Sequence, residues 1–126
     1  MFDTFGITVD CQEDALESLG DFWAAVLGYK KLHPLLLVDP KGVKPRIAFQ
    51  VVPEPKQVKN RWHLDVYVED LASLEGAVRA LVELGASEVR HVDKTILGHA
   101  NIFTVMLDPH GNEFCVCAPH VRVEAE

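Results

Sequence analysis

The chain repeats itself. Gly6 pairs with His63 at a displacement of 63 − 6 = 57 positions, and Leu27-Gly28 pairs with Leu84-Gly85 at the same 84 − 27 = 57. Each copy reads as strand, helix and then about three strands, over residues of about 5–55 and 61–119. A repeat of this length is one supersecondary unit, and neither copy buries its own sheet face fully, so the two are expected to associate within one 126-residue domain. The fold class that follows is α+β, with helices on one face of a mostly antiparallel sheet.

The elements of each copy can be read from periodicity. Ile7 to Cys11 alternates as a short strand. In QEDALESLGDFWAAVLG, Ala15, Leu16, Leu19, Phe22, Trp23, Val26 and Leu27 recur at helical spacing, with Gly28 suited to a left-handed C-terminal cap. Gly20 lies on that apolar stripe and weakens the helix by about 1 kcal/mol relative to alanine, which is consistent with a close approach to the sheet. Tyr29 to Val38 reads as a strand, DPKG as a turn, and Arg46 to Val52 as its hairpin partner. In the second copy His63 to Val68 alternates strictly, Asp70 is the expected N-cap of LASLEGAVRALVELG, and Ser87 to Val92 is a strand. A loop is expected through Gly98 and Asn101. Ile102 to Leu107 and Glu113 to Ala118 then form a hairpin about DPHGN.

Charge and cysteine content narrow the function classes. Twelve basic against nineteen acidic residues give 12 − 19 = −7. An acidic chain repels phosphate backbones, and its basic clusters, Lys41 to Arg46 and Lys56 to Arg61, sit among prolines and turn residues, so no nucleic-acid partner is expected. No apolar run approaches the roughly 20 residues that cross a bilayer, and MFDTFGITVDC lacks the basic start and cleavage pattern of a signal peptide. Cys11, Cys115 and Cys117 form an odd set with two members at i, i+2, a poor disulfide framework. Reduced thiols in a cytoplasmic protein, with no membrane partner, is the expectation.

Strand parity assigns faces. Leu64, Val66, Val68, Phe114 and Val116 are expected beneath the helix, with Ile7 and Val9 doing the same in the first copy. His63, Asp65, Tyr67, Glu113, Cys115 and Cys117 then share the second face, as do Thr8 and Asp10 in the first copy. Arg46, Ala48 and Gln50 lie on one side of their strand. Were that surface to curve inward, Thr8, Asp10, Gln50, His63, Asp65, Tyr67 and Cys115 would line a ligand-binding cleft; an ordinary solvated sheet shows the same alternation. His63 beside Asp65 is a general-base arrangement if the two hydrogen-bond. Trp23, Trp62, Tyr67 and Phe103 are candidates for stacking on a planar ligand. The other histidines, His33, His91, His99, His110 and His120, are expected in loops or near chain ends, with His99 in a glycine-flanked loop.

The segments ITVDC, DFWAAVLGYK, RIAFQVVPEPKQVKNRWHLDVYVEDL and TVMLDPHGNEFCVC together resemble the glyoxalase-like branch of the vicinal oxygen chelate superfamily, which includes glyoxalase I, bleomycin-resistance proteins and extradiol dioxygenases. The resemblance spans about Phe5 to Pro119. It implies paired βαβββ modules curled around one cleft, with helices outside, and often a homodimer. It also implies four metal-ligand positions, which fall here on Phe5 or Gly6, on Gln50, on His63 and on Cys115. His63 is typical of such a site and Gln50 acceptable, Cys115 replaces a carboxylate, and Phe5 or Gly6 offers nothing. The metal candidates are therefore His63, Gln50 and Cys115, an incomplete set for a hard ion, while a soft ion could use His63 and Cys115 with Cys117 or Asp10.

Three functions compete on these grounds, and the first is favoured over the second, with the third the weakest. A binding protein would hold a small organic molecule in the cleft with no cofactor. A lyase, isomerase or dioxygenase would need a divalent ion such as Zn, Ni, Mn or Fe. An interaction module would only dimerise.

Overall fold

The structure, a computed structural model, describes residues 1–122. The chain divides into two compact units, one from Met1 to Val58 and one from Lys59 onward. Each carries the same βαβββ order, so the expected α+β class of two such modules is what the chain adopts.

In the first module β1 (Ile7–Cys11) leads through a single 3-10 turn into α1 (Leu16–Leu27), followed by β2 (Lys30–His33), β3 (Leu36–Val38) and β4 (Ile47–Val51). The expected strand from Tyr29 to Val38 is thus two strands. Pro34 lacks the N–H a ladder needs, and the chain folds back there, with the Leu35 N–H donating to His33 Nδ1 at 3.1 Å. The sheet order is β1-β4-β3-β2, with β1 parallel to β4 and the other pairs antiparallel. Gly28 ends α1 at φ 67°, the left-handed cap read from sequence, and the Tyr29 N–H reaches back to the Ala24 carbonyl.

Helix α1 buries Leu19, Phe22 and Trp23, and Leu37, Ile47 and Phe49 are buried on the strands it packs against. Gly20 belongs to the contact: a Cβ there would stand 3.3 Å from Lys31 Cε and 3.9 Å from the Phe49 ring. The Lys31 ammonium, lying across this point, is paired with Asp21. Trp23 is 4% exposed and meets Phe22 edge to face at 5.2 Å, so it is a core residue and no stacking platform.

The second module repeats the plan. It runs through β5 (Asp65–Tyr67), a 3-10 turn over Leu71–Ser73, α2 (Leu74–Glu83), β6 (Ser87–Ile96), β7 (His99–Leu107) and β8 (Glu113–Cys117), with β9 (Val121–Arg122) pairing onto β7. The order β5-β8-β7-β6 matches the first sheet, again with one parallel pair. Two expectations are corrected here. The strand expected to begin at His63 begins at Asp65, and the loop expected through Gly98 and Asn101 is ladder: β6 and β7 pair from Ser87↔Leu107 to Ile96↔His99 across a turn of only Leu97 and Gly98. His91 and His99 consequently lie on strands, and His91 Nδ1 sits 3.0 Å from the Thr104 hydroxyl.

Parity on β8 holds as read. Phe114 and Val116 are about 1% exposed, and with Met106, Leu74, Val78 and Leu81 they make the buried core where α2 meets β8. Among the described residues no helix is long and apolar enough to cross a membrane.

Candidate functional site

The parallel β5–β8 ladder gathers an acid, a phenol and two thiols on one sheet face. Asp65 pairs with Cys115 and Tyr67 with Cys117, so these four side chains leave the sheet on one face, opposite Val66 and Val116. Val105 and Phe103, paired with Cys115 and Cys117 across the antiparallel ladder, join the same face. There Val105, Cys115 and Cys117 form a buried apolar cluster with Phe103 packed on it. His63, two residues before Asp65, hangs over the edge of this stripe.

The polar end is a hydrogen-bonded chain. His63 Nδ1 lies 3.2 Å from Asp65 Oδ1, and both side chains are about two-fifths exposed, at 38% and 43%. An ionised carboxylate only accepts, so the imidazole donates through Nδ1–H. Asp65 also accepts from the Cys115 thiol. Burial is the first cause that pushes this thiol up from its ordinary value, followed by the charge and the hydrogen bond of Asp65; Arg90 and Lys59 pull the other way. Arg90 stands on the same cross-strand row, paired with Val105, which pairs with Cys115. Cys117 is pushed up to about 12, first by burial and then by Asp65 and Cys115. Both thiols are protonated at neutral pH and are poor nucleophiles in this state. The N-terminal approach to β5 is fixed to β8: the Asn60 N–H donates to Glu113 Oε2 at 2.9 Å, and the Cys115 N–H donates to the Leu64 carbonyl at 2.9 Å.

Two aromatic candidates differ in setting. Tyr67 is half exposed, with its hydroxyl 3.3 Å from His120 Nε2 and its ring edge-on to that imidazole. Trp62 is 93% exposed, and its ring stands in solvent.

In the first module Thr8, Asp10 and Gln50 share a face, because Asp10 pairs with Gln50 and Thr8 with Ala48 on the parallel β1–β4 ladder. All three are exposed. A shallow hollow in this module, lined by Gln12, Glu13, Asp14, Val51, Val52 and Pro53, shares no residue with that group. The sequence-derived candidates therefore fall into two sets: His63, Asp65, Tyr67 and Cys115 in one module, and Thr8, Asp10 and Gln50 in the other.

The ladder registers also test the ligand positions that the resemblance implied. At the displacement of 57, Thr8 corresponds to Asp65; Ala48 opposes the first and Cys115 the second. The first-module counterpart of Cys115 is therefore Ala48, and the second-module counterpart of Gln50 is Cys117. Phe5 and Gly6 carry no donor side chain, and Ala48 carries none. A hard ion that seeks several carboxylate and imidazole ligands does not fit this donor set. What the sequence reading missed is that Asp65 stands among the groups that could hold a metal ion. A ring nitrogen of His63, a carboxylate oxygen of Asp65 and the sulfur of Cys115 lie within 4.8 Å of one another. The signal was present, since His63 and Asp65 alternate onto one face, but their convergence on Cys115 depends on the β5–β8 register.

Comparison with known proteins agrees with the topology. A family model for a glyoxalase-like domain matches residues 6–117. A glyoxalase/bleomycin resistance protein/dioxygenase family enzyme from Burkholderia phytofirmans PsJN is similar in structure with TM-score 0.67 at 16% identity, covering 88% of this chain and 94% of that one. A member of the same type from Alicyclobacillus acidocaldarius gives TM-score 0.62 at 14% identity, over 91% and 89% of the two chains. A variant of the fosfomycin resistance protein FosX from Listeria monocytogenes, solved with Mn(II) and 1S,2S-dihydroxypropylphosphonic acid, gives TM-score 0.67 at 12% identity, over 94% and 92%. At these identities the likeness is one of fold. No curated protein matches the chain at a significant level.

Proposed function

Starting from the chain's membership of the glyoxalase-like domain family, we propose that it binds a small organic molecule with an apolar body and an anionic or hydrogen-bonding head. The observation that carries this reading is the junction, on one sheet face, of the hydrogen-bonded His63–Asp65 pair with the apolar stripe of Phe103, Val105, Cys115 and Cys117. Ligand sites commonly combine such an apolar lining with a few convergent polar groups. An acidic head would be met by Arg90 and Lys59, whose positive charge reaches Cys115 and partly offsets the stronger negative charge of Asp65 there. The Mn(II)-bound FosX structure points to a second reading, a metal-dependent enzyme. The absence of donors at Phe5, Gly6 and Ala48 weighs against a hard-ion centre of that kind.

The test is a thermal-shift screen of short-chain and aromatic carboxylic and phosphonic acids, each beside its neutral amide or ester. A ligand present at a hundred times its Kd stabilises the fold by about 2.7 kcal/mol. At least one acid should raise Tm, its neutral partner should raise it less, and His63→Ala and Arg90→Ala should each reduce the shift. Flat melting curves across the acids would overturn the reading and leave an interaction module as the better account.

A further inference from the structure

The mismatch between the implied four-position set and the donors present has a specific form. In the first module Phe5, Gly6 and Ala48 carry no donor side chain, whereas three donors of different chemistry meet within the second: an imidazole, a carboxylate and a thiol, all within 4.8 Å of one another. The geometry points to a soft divalent-cation site, of the zinc or cobalt type, held by His63, Asp65 and Cys115 within the second module alone. It concerns the same residues as the ligand reading but does not depend on it.

Three observations support the assignment. The first is spacing. Zinc bonds of about 2.0–2.3 Å to nitrogen, oxygen and sulfur place neighbouring tetrahedral donors about 3.4–3.6 Å apart. His63 Nδ1 and Asp65 Oδ1 already stand 3.2 Å apart, and small side-chain rotations would bring the 4.8 Å cluster to that range. The second is donor type: one thiolate with one imidazole and one carboxylate selects a soft or borderline ion over Mg²⁺ or Mn²⁺. The third is rigidity on one side and access on the other. Cys115 is buried and fixed in the β5–β8 ladder, whereas His63 and Asp65 are open to solvent. An ion can therefore enter from the exposed side, and a fourth position stays available to water or to the head of a ligand.

The uptake balances simply. The Cys115 S–H bond breaks, the sulfur keeps the electron pair and donates it to the ion, and one proton leaves to solvent. The His63 proton moves by solvent exchange from Nδ1, where it faces Asp65, to Nε2, which frees the Nδ1 lone pair with no net change of charge. Asp65 loses no proton but gives up the hydrogen bonds it accepts from the thiol and the imidazole. Asp65 is the departure from the implied pattern, since it stands at none of the four positions.

Cobalt is the informative probe because it reports geometry and sulfur ligation by absorption. The full chain, stripped of metal, is titrated with Co²⁺ alone. One ion per chain should bind with the strong visible absorption of tetrahedral cobalt and a near-ultraviolet sulfur-to-cobalt charge-transfer band, and Zn²⁺ should displace it. Cys115→Ser should remove the charge-transfer band. Asp65→Asn, at an exposed position, should weaken binding by more than the roughly tenfold that loss of an outer-shell partner costs at other metal centres, with unchanged far-ultraviolet circular dichroism. Gln50→Ala should leave binding unchanged, and Mn²⁺ should compete poorly. No cobalt uptake by the folded chain would overturn the site, as would uptake without the sulfur band, or loss on Gln50→Ala with retention on Asp65→Asn. Should Cys115→Ser fail to fold, the Asp65→Asn and Gln50→Ala pair decides the question. Cobalt uptake with a flat acid screen would sink only the ligand reading; acid stabilisation of metal-free protein without cobalt uptake would sink only the metal site.

Discussion

Asp39 shows how a single side chain can organise a loop and leave a pH signature. It follows β3 directly, and its two carboxylate oxygens accept the backbone N–H groups of Lys41 (3.0 Å), Val43 (3.1 Å) and Lys44 (2.9 Å). Those bonds stabilise the charged form, so the carboxyl is held below its ordinary value, first by the Lys44 amide and then by that of Lys41. A carboxylate whose folded value is depressed contributes stability above its unfolded pKa of about 3.9, and the contribution disappears as pH falls through the lower folded value. Calorimetry at neutral pH should therefore find Asp39→Ala less stable than the parent. The gap in Tm should narrow as pH is taken below about 4, where the unfolded carboxyl takes up a proton while the folded one is still charged. A gap that stays constant down to that range would show that the loop owes nothing to the charge of Asp39. The sequence signals this role only coarsely: DPKG reads as a turn, but the reach of Asp39 to Val43 and Lys44 needs the folded loop.

At the scale of elements, the β6–β7 hairpin carries the clearest difference between expectation and structure. A two-residue hairpin loop normally announces itself as Asn-Gly or Asp-Gly, because both central residues take positive φ. Here the pair is Leu97 and Gly98, at φ 51° and 76°. Leucine at the first position gives no such signal, so the ladder on either side reads as strand followed by loop. Leu97 is 93% exposed and gains no burial in return for a left-handed backbone that costs a residue with a Cβ roughly 1–2 kcal/mol. Leu97→Asn should therefore stabilise the chain by up to about 1 kcal/mol, since asparagine tolerates that conformation better. An unchanged or lowered Tm in this variant would mean that Leu97 makes a contact that outweighs its strain. The neighbouring helix was more legible. Asp70 was expected as its N-cap and does accept the Ser73 N–H at 2.9 Å, although it caps the 3-10 turn that leads into α2. The candidate site was half legible for a related reason: parity on β5 and β8 gave the faces of Asp65 and Cys115, but which rungs meet is a property of the parallel pairing and has no short-range code.

Across the whole molecule, the repeat carried most of the fold, and its limits are physical. The displacement of 57 connects β2 at Lys30 to β6 at Ser87, since 87 − 30 = 57, but Ala48 on β4 and its counterpart Cys115 on β8 are 115 − 48 = 67 apart. The difference of 67 − 57 = 10 residues is consistent with the longer β6–β7 hairpin, where strands of 10 and 9 residues stand for the shorter β2 and β3. Strand order survives this insertion because each module closes its sheet with the same parallel pair, β1 with β4 and β5 with β8. Each module accordingly has a fully buried set of its own: Leu19 and Leu37 in the first, Met106, Phe114 and Val116 in the second. If two such cores exist, a cavity in either must cost as much as a cavity in a single conventional core. Leu19→Ala and Met106→Ala, both at 0% exposure in the parent, should each destabilise the chain by about 2–5 kcal/mol in urea unfolding. The duplicated-core account requires both values to fall in that range. A loss under about 1 kcal/mol for one of them would place the packing that stabilises the molecule in the other module alone.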